Sequence, residues 1–212
     1  MKERPILFSS PMVKALLAGT KTQTRRLMKP QPAEGAHMAT EMGCALHEDH
    51  YGNPIGTHTC PYGGPGDRLW VRENWTSGYG RGCWGTIFQA DGVFVQGKRQ
   101  HPKGIHYSTA DRPPGMKWRP SIHLPRWASR ITLEVKSVRV ERLQDISEDD
   151  AKAEGAQPLQ SVAPDQPLLS GGTAAEHPYR LAFAVLWDTI NGDRASWLSN
   201  PWLWVVGFRR LP

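Results

Sequence analysis

The sequence is short of cysteine and of long hydrophobic runs. Its 212 residues include three cysteines, an odd number that argues against a framework of disulfide bonds. No apolar stretch approaches the length of a membrane span, and residues 1–8 lack the apolar core of a signal peptide. We therefore expect a cytoplasmic protein that has no membrane partner.

Several common catalytic and ligand-binding motifs are also absent. The sequence contains no P-loop, no G-x-G-x-x-G fingerprint and no nucleophile elbow. His123 is the only histidine in a well-patterned segment, which leaves Ser/His/Asp and Cys/His catalysis with little support. No run of five like charges marks a nucleic-acid-binding tail.

The composition favours short strands over a helical bundle. Apolar residues make up 39% of the chain, enough for a core, but 21 glycines and 18 prolines indicate many irregular connections. Lysine and arginine outnumber aspartate and glutamate by 26 to 20, which gives a net charge of +6. That charge favours an anionic partner, nucleic acid or nucleotide, although a solvated basic surface explains it equally well.

The N-terminal part of the chain predicts a strand, a helix and a second strand. Residues 6–8 form an apolar strand. Ser10 is placed to cap a helix whose first position is Pro11 and which ends at Gly19. The polar run over residues 20–27 suits an extended strand.

The rest of the chain alternates strands with a few helices, which favours an α+β fold over a parallel sheet. Strands are predicted at 66–75, 86–90, 93–95, 130–143 and 202–208. The alternation of apolar residues changes parity near residues 136–137, which predicts a β-bulge there. Ser147 and Asp150 predict a short capped helix that ends near Gly155. A longer helix is predicted from apolar residues at helical spacing: Phe183, Leu186, Trp187 and Ile190.

Two segments, at about 29–65 and 96–117, are polar and rich in glycine and proline. We expect them to be loop insertions in a single domain that spans residues 1–212. The first contains five potential metal ligands: Cys44, His47, His50, His58 and Cys60. Their spacing loosely resembles a zinc site but includes no C-x-x-C pair. Zinc therefore stays an open hypothesis for this loop.

The most informative stretch, residues 19–26, joins the first helix to the next strand. Thr24 and Arg26 alternate along that strand and therefore share a face. Lys21 has the opposite parity, but the conformational freedom of Gly19 lets it swing beside Thr24. A desolvated, neutral lysine can take the proton of a threonine hydroxyl and so activate it as a nucleophile. An exposed strand with ordinary polar residues is the plainer alternative.

Glu73 could supply the acid for such chemistry. It continues the alternation of Leu69 and Val71, so it should face the interior, where a carboxyl group needs a partner or stays protonated. Pairing with Lys21 or Arg26 would be a purely structural role. A raised pKa would instead make Glu73 a general acid that protonates a leaving group.

The ordered set of segments resembles the ASCH family, a branch of the PUA-like superfamily. The family signature G-x-K-x-x-(T/E)-x-R is matched by Gly19, Lys21, Thr24 and Arg26. Further similarity, including similarity to the longer ASCH proteins of phage and prophage, lies in residues 6–19, 66–75, 120–130 and 200–206. The resemblance implies a curved, mostly antiparallel β-barrel that is decorated with a few helices and has a cleft lined by the signature strand.

One branch of the family, the small bacterial N4-acetylcytidine amidohydrolases, is similar to this chain at the candidate catalytic residues. This resemblance implies that Lys21 is the base, Thr24 the nucleophile and Glu73 the proton donor in cleaving the exocyclic amide of N4-acylated cytosine or cytidine. It requires no metal and no organic cofactor. Arg26 is a candidate for positioning the substrate or holding Glu73. Trp75 is a candidate for stacking on the base, although core packing is the plainer role for a tryptophan.

Two other functions stay open. PUA-like barrels commonly bind RNA, and the basic charge agrees with a non-catalytic RNA-binding module whose affinity falls with salt. A nuclease that uses the same cleft is the third hypothesis. A free nucleoside or nucleobase is favoured as the partner, because the chain shows no extended basic tract that could follow an RNA backbone.

Overall fold

The computed structural model describes residues 1–32, 37–41, 44–48, 54–80, 83–95, 105–106, 117–158 and 176–212. Within these ranges the fold is mixed α+β, with a core built mostly from sheet and a few helices around it. The strands are β1 (Glu3–Leu7), β2 (Gln23–Leu27), β3 (His37–Glu41), β4 (Cys44–Glu48), β5 (Pro54–Thr59), β6 (Arg68–Arg72), β7 (Trp75–Gly80), β8 (Cys83–Phe88), β9 (Val93–Val95), β10 (Ile105–His106), β11 (Thr132–Arg142) and β12 (Trp202–Arg210). The helices are α1 (Ser10–Leu17), α2 (Glu148–Ala153) and α3 (Pro178–Asn191).

The central sheet has five strands in the order β1-β6-β11-β12-β2. The β1–β6 pair is parallel and the other three pairs are antiparallel. The edge strands β1 and β2 are not joined by a backbone ladder within the described chain. Instead, Nη2 of Arg26 on β2 donates a hydrogen bond of 2.6 Å to the carbonyl of Leu7 on β1. The two edges of the sheet therefore approach each other, but the sheet is not a closed barrel.

Apolar side chains from β1, β6, β11, β12 and α1 form most of the main core. The β-strands contribute every second residue to it, because successive side chains of a strand point to opposite faces. Its members include Ile6, Val13, Leu16, Leu69, Val71, Leu133, Val135, Trp204 and Val206. The core face of the sheet is also the face from which the candidate site is built.

The bulge predicted in the long strand is confirmed. The pairing of β11 with β12 shifts register between Val135 and Ser137. Because the extra residue restores the alternation on the same face, both Val135 and Val138 are buried in the main core. The hairpin predicted at Asp91-Gly92 is confirmed as well, since β8 pairs with β9 in antiparallel register around a left-handed Gly92.

Helix α1 is confirmed with a different cap. The N-cap residue is Ser9 rather than Ser10, and its side chain makes no capping hydrogen bond. Pro11 occupies the first turn, where its missing N–H is harmless. After the helix, Gly19 has φ +77°, the left-handed conformation that glycine adopts most easily. The chain then turns directly into the approach to β2.

The prediction that residues 29–65 form a loop without strands is wrong. This segment contains β3, β4 and β5, which form an antiparallel sheet in that order. These strands were missed because polar residues, glycine and proline hide the alternation of side chains that marks a half-buried strand. Most of the second predicted insertion, at 96–117, lies outside the described residues, apart from β10 and residue 117.

A second, smaller core lies where α2 and α3 pack together. The Oγ atom of Ser147 accepts a hydrogen bond of 3.0 Å from the backbone N–H of Asp150, which confirms the predicted cap of α2. Phe183 and Trp187 of α3 are buried as expected, whereas Ile190 is 53% exposed. None of the described helices has the length and apolar character that a membrane-spanning helix requires.

Candidate active site

Lys21 lies between α1 and β2 with its side chain buried. Its backbone N–H donates to the carbonyl of Ala15, which ties the turn after Gly19 to the end of α1. The Nζ atom donates to two acceptors of one residue, the backbone carbonyl of Glu154 at 2.7 Å and its Oε2 atom at 2.8 Å. Lys21 is therefore fixed to the end of α2 and not to the predicted partner Glu73.

Compared with water, the surroundings of Lys21 favour the neutral form of its amine. Burial lowers the pKa of Lys21, and the charge and hydrogen bond of Glu154 oppose that effect in part. The positive charges of Arg26 and Arg25 lower the pKa further. A neutral amine has two N–H donors and one lone pair, so the two acceptors of Glu154 satisfy both donors and leave the lone pair available.

Close packing at the end of α2 makes this contact possible. Gly155 follows Glu154 with φ +83°, and a Cβ atom at this position would lie 3.0 Å from the Cβ of Ala15 and 3.4 Å from the Cβ of Lys21. The left-handed backbone conformation therefore favours glycine, and the short contacts leave little space for a side chain. The turn at Gly155 brings the carboxylate of Glu154 against the lysine.

Thr24 lies on β2 opposite Val206 of β12, on the core face of the sheet. It is buried, yet its hydroxyl makes no hydrogen bond within the described part of the chain. Thr24 lines a small pocket with a volume of about 80 Å³. Further lining comes from α1, β2, Glu154 and α3, including Met12, Arg26, Leu27, Leu186 and Ile190. Thr24 therefore combines a position at a pocket with a hydroxyl that has no hydrogen bond among the described residues.

Glu154 relates Lys21 to the pocket of Thr24 by position. Within the described part of the chain, no direct hydrogen bond joins the amine of Lys21 to the hydroxyl of Thr24. Glu154 accepts the hydrogen bonds of Lys21 and also lines the pocket beside Thr24. The structure thus brings the predicted base and nucleophile to the same region, with a carboxylate at their junction that sequence reasoning missed.

Arg26 lies close to Lys21 across an aromatic ring. The Nζ atom of Lys21 is 5.7 Å, and the Cζ atom of Arg26 5.2 Å, from the ring centroid of Phe8. Both cations are within the range of a cation–π interaction. The Nε atom of Arg26 is buried without a hydrogen-bond partner among the described residues. Arg26 therefore keeps one buried donor unpaired among the described residues, and its hydrogen bond goes to Leu7 rather than to Glu73.

Glu73 immediately follows β6 and is 1% exposed, as the sequence predicted. The parallel register pairs Leu7 with Arg72, and the N–H of Phe8 donates to the carbonyl of Arg72. The next positions along the two strands, Phe8 and Glu73, are therefore neighbours on the core face. Lys21 and Arg26 thus lie at the ring of Phe8, and Glu73 is its neighbour in the strand register, with no ion pair from Glu73 to either of these two cations.

The partner of Glu73 is Arg130, which corrects the prediction that Lys21 or Arg26 pairs with it. Arg130 donates from Nε to Oε1 at 2.9 Å and from Nη2 to Oε2 at 2.8 Å, and its Nη1 atom donates to Asp91. Burial raises the pKa of Glu73, while the hydrogen bonds and charge of Arg130 oppose the rise. The only sequence signal for Arg130 was its position at the end of the patterned segment 120–130.

Trp75 lies in an apolar cluster with Phe88, Leu124 and Ala128. The guanidinium of Arg119 lies over its indole ring, 5.1 Å from the centroid. Trp75 is therefore packed in a core. This is the alternative given above to its stacking on a base.

The zinc hypothesis falls largely on residues whose side chains lie outside the described part: Cys44, His47 and His50. Cys60 is buried in the main apolar core. Among the described residues, no group of three or more histidine, cysteine, aspartate or glutamate side chains is arranged to hold a metal ion.

No family model, no curated protein and no solved structure matches the chain. The residues around Phe8 and the pocket beside Thr24 are therefore the basis on which a function is proposed.

Proposed function

We propose that this protein is an ASCH-type amidohydrolase that cleaves the exocyclic amide of N4-acylated cytosine or cytidine nucleosides. The observation that carries the proposal is Thr24, which lines a pocket and whose hydroxyl has no hydrogen bond in the described chain. A buried lysine with a lowered pKa lies three residues earlier in the same segment. Nucleophilic catalysis by a threonine needs such a base.

The assignment to a PUA-like fold is part of this proposal. Five strands of the central sheet curve so that its edges, β1 and β2, approach each other at Leu7 and Arg26. Helix α1 connects these two edge strands in the chain. The ASCH resemblance implies a curved, mostly antiparallel β-barrel with a cleft lined by the signature strand, and the approach of the two edges supports that assignment although the sheet is not closed.

In the first half of the reaction, neutral Lys21 takes the proton from the hydroxyl of Thr24. The Oγ atom then attacks the carbonyl carbon of the N4-acyl group and forms a tetrahedral intermediate. The bond from that carbon to N4 breaks, N4 takes a proton from Glu73, and the acyl group stays on Thr24 as an ester. Cytosine is a workable leaving group, because its ring delocalises charge from N4.

In the second half, water attacks the ester carbonyl and the acyl group leaves as a carboxylic acid. Lys21 returns the proton that regenerates the Thr24 hydroxyl, and the proton of the attacking water returns to Glu73. Burial of Glu73 supports its role as an acid, because burial raises the pKa of its carboxyl group above the ordinary value. Arg26 also lines the pocket, so its guanidinium is the group that we assign to positioning the substrate.

Ultraviolet absorbance with N4-acetylcytidine tests the proposal, because loss of the acyl group changes the absorbance of the base. We expect the wild-type protein to release cytidine and acetate. Lys21→Ala, Thr24→Ala and Glu73→Ala should each abolish turnover, with circular dichroism used to verify that the variants stay folded. Full activity of Thr24→Ala would rule out covalent catalysis by this residue.

A non-catalytic RNA-binding module is the second candidate, favoured by the net charge of +6. Such a protein would bind RNA with an affinity that falls steeply as salt is raised, and it would not hydrolyse N4-acetylcytidine. Degradation of labelled RNA in the same experiment would instead indicate a nuclease.

A further inference from the structure

Glu154 has two contacts that the end of a short helix does not require. Its backbone carbonyl and its Oε2 atom both accept hydrogen bonds from Lys21, and its side chain lines the pocket beside Thr24. We propose that Glu154 is a positioning residue, which holds the Lys21 amine at the pocket where Thr24 reacts. This inference rests on the proposed amidohydrolase function.

The geometry restrains the amine from two directions. A lysine side chain has four rotatable bonds, so one acceptor would leave the nitrogen free to swing. The two acceptors of Glu154, at 2.7 and 2.8 Å, belong to one residue and confine both N–H donors of a neutral amine. The lone pair must then point away from Glu154, which is the orientation that a general base needs.

Glu154 is itself held by a network of ion pairs. Arg25 of β2 is fully buried and donates to Oε1 of Glu154 at 3.4 Å, to Oδ2 of Asp150 at 2.8 Å and to Oε2 of Glu141 at 2.7 Å. Arg139 of β11 also donates to Asp150. Helix α2 is thereby fixed to β2 and β11, and with it the position of Glu154.

The charge of Glu154 and the charges of the other groups that face Lys21 have opposite effects on the pKa of Lys21. Glu154 is the anion on the α2 side, while Arg25 and Arg26 are the cations on β2. The negative charge and the hydrogen bond of Glu154 raise the pKa of Lys21, whereas burial and the two arginines lower it. Removing the charge of Glu154 while keeping its shape should therefore lower the pKa of Lys21.

The test compares Glu154→Gln, Glu154→Ala and the control Asp149→Asn, a substitution at an exposed residue of the same helix that pairs with Lys152. The first readout is the pH profile of kcat/KM with N4-acetylcytidine. The second is the titration of lysine ¹³Cε signals by NMR, with Lys21 assigned from the signal that Lys21→Met removes. The NMR titration does not depend on turnover.

We expect Glu154→Gln to keep most of its kcat, because its amide oxygen still accepts a hydrogen bond from Lys21. The acidic limb of its kcat/KM profile and the titration of its Lys21 should both move to lower pH. Glu154→Ala should lose about 100-fold in kcat, the effect of a misplaced catalytic group. Asp149→Asn should match the wild-type protein in both readouts.

An unchanged Lys21 titration in Glu154→Gln overturns the inference, whatever the turnover. Equal kcat in Glu154→Ala and wild type overturns it as well. If the wild-type protein hydrolyses no N4-acyl substrate, the proposed function fails, and the NMR titration still decides whether Glu154 controls Lys21. Thermal unfolding of each variant shows whether a loss comes from misfolding, and the isosteric Glu154→Gln keeps the test decisive if Glu154→Ala does not fold.

Discussion

Arg130 binds both carboxylate oxygens of Glu73 through two parallel hydrogen bonds, of 2.9 and 2.8 Å, at the end of the β6 strand. The same guanidinium lies over the ring of Phe88, 4.1 Å from its centroid. A buried carboxyl group is thus held by a single cation that also serves a second carboxylate, Asp91. This arrangement connects the stability of the protein with the protonation of the proposed acid.

Replacing Arg130 by methionine should destabilise the protein by roughly 3–5 kcal/mol at neutral pH, because Glu73 would be left buried without its cation. Urea unfolding measures the change. The control is Arg126→Met, which breaks an ion pair with Glu3 whose two side chains are 44% and 38% exposed. That variant should lose less than about 1 kcal/mol. Equal losses in the two variants would contradict a structural role for the buried pair.

Arg130→Met should also shift the pH dependence of turnover. Arg130 lowers the pKa of Glu73, so its removal lets that pKa rise further and keeps the carboxyl protonated to higher pH. If Glu73 donates a proton to N4, the basic limb of the kcat profile should move to higher pH. If the basic limb of the kcat profile does not move, Glu73 is not the acid.

Thr24→Val should abolish hydrolysis of N4-acetylcytidine while changing stability by less than about 1 kcal/mol. The change is nearly isosteric and removes a hydroxyl that has no hydrogen bond in the described structure. A loss of at least about 100-fold in kcat is expected for a nucleophile. Thr22→Val, at an exposed position just before the same strand, serves as the matched control and should keep wild-type activity.

Lys21→Met should reveal the lowered pKa of Lys21 in the stability of the wild-type protein. Since folding lowers this pKa below its ordinary value of 10.5, the unfolded chain binds more protons between the folded pKa and 10.5. The wild type should therefore gain stability relative to Lys21→Met as the pH rises through this window. Urea unfolding at several pH values measures the difference, and Lys14→Met, at an exposed position of α1, controls for the loss of one positive charge. A difference that does not change with pH would contradict the effect of burial.

Ile190→Trp should restrict the length of the acyl group that the protein accepts. Ile190 lines the pocket of Thr24 from α3 and is 53% exposed, so a larger side chain can be placed there without disrupting a core. We expect the ratio of kcat/KM for N4-butyryl to N4-acetyl substrates to fall by about tenfold. Val185→Trp is the control, because Val185 is 47% exposed on the same helix and does not line this pocket. Equal ratios in both variants would mean that the acyl group lies elsewhere.

Much of the local structure could be predicted because it depends on neighbouring residues. The bulge of β11, the turn at Gly92 and the cap of α2 by Ser147 each follow from a pattern within a few positions. The strands β3 to β5 could not be predicted in the same way. Their polar composition contains no alternation, and strand pairing with neighbours decides their conformation.

The capping box of α2 shows where local patterns stop. Ser147 accepts the N–H of Asp150 as predicted, but the Asp150 carboxylate binds Arg25 and Arg139 from two strands of the central sheet. A charged side chain selects its partner from whatever the fold brings near. The pattern predicted the cap of the helix and not the network that fixes the helix to the sheet.

The order of amino acids by itself predicted the five strands of the central sheet and the three helices, since periodicity and turn chemistry act over a few positions. It placed Lys21, Thr24 and Glu73 on or beside strands and predicted that Glu73 is buried. Only the tertiary structure decided that Glu73 pairs with Arg130, 57 residues away, and Lys21 with Glu154, 133 residues away. Buried charges need partners at hydrogen-bond distance, and sheet order and helix packing determine which groups reach that distance.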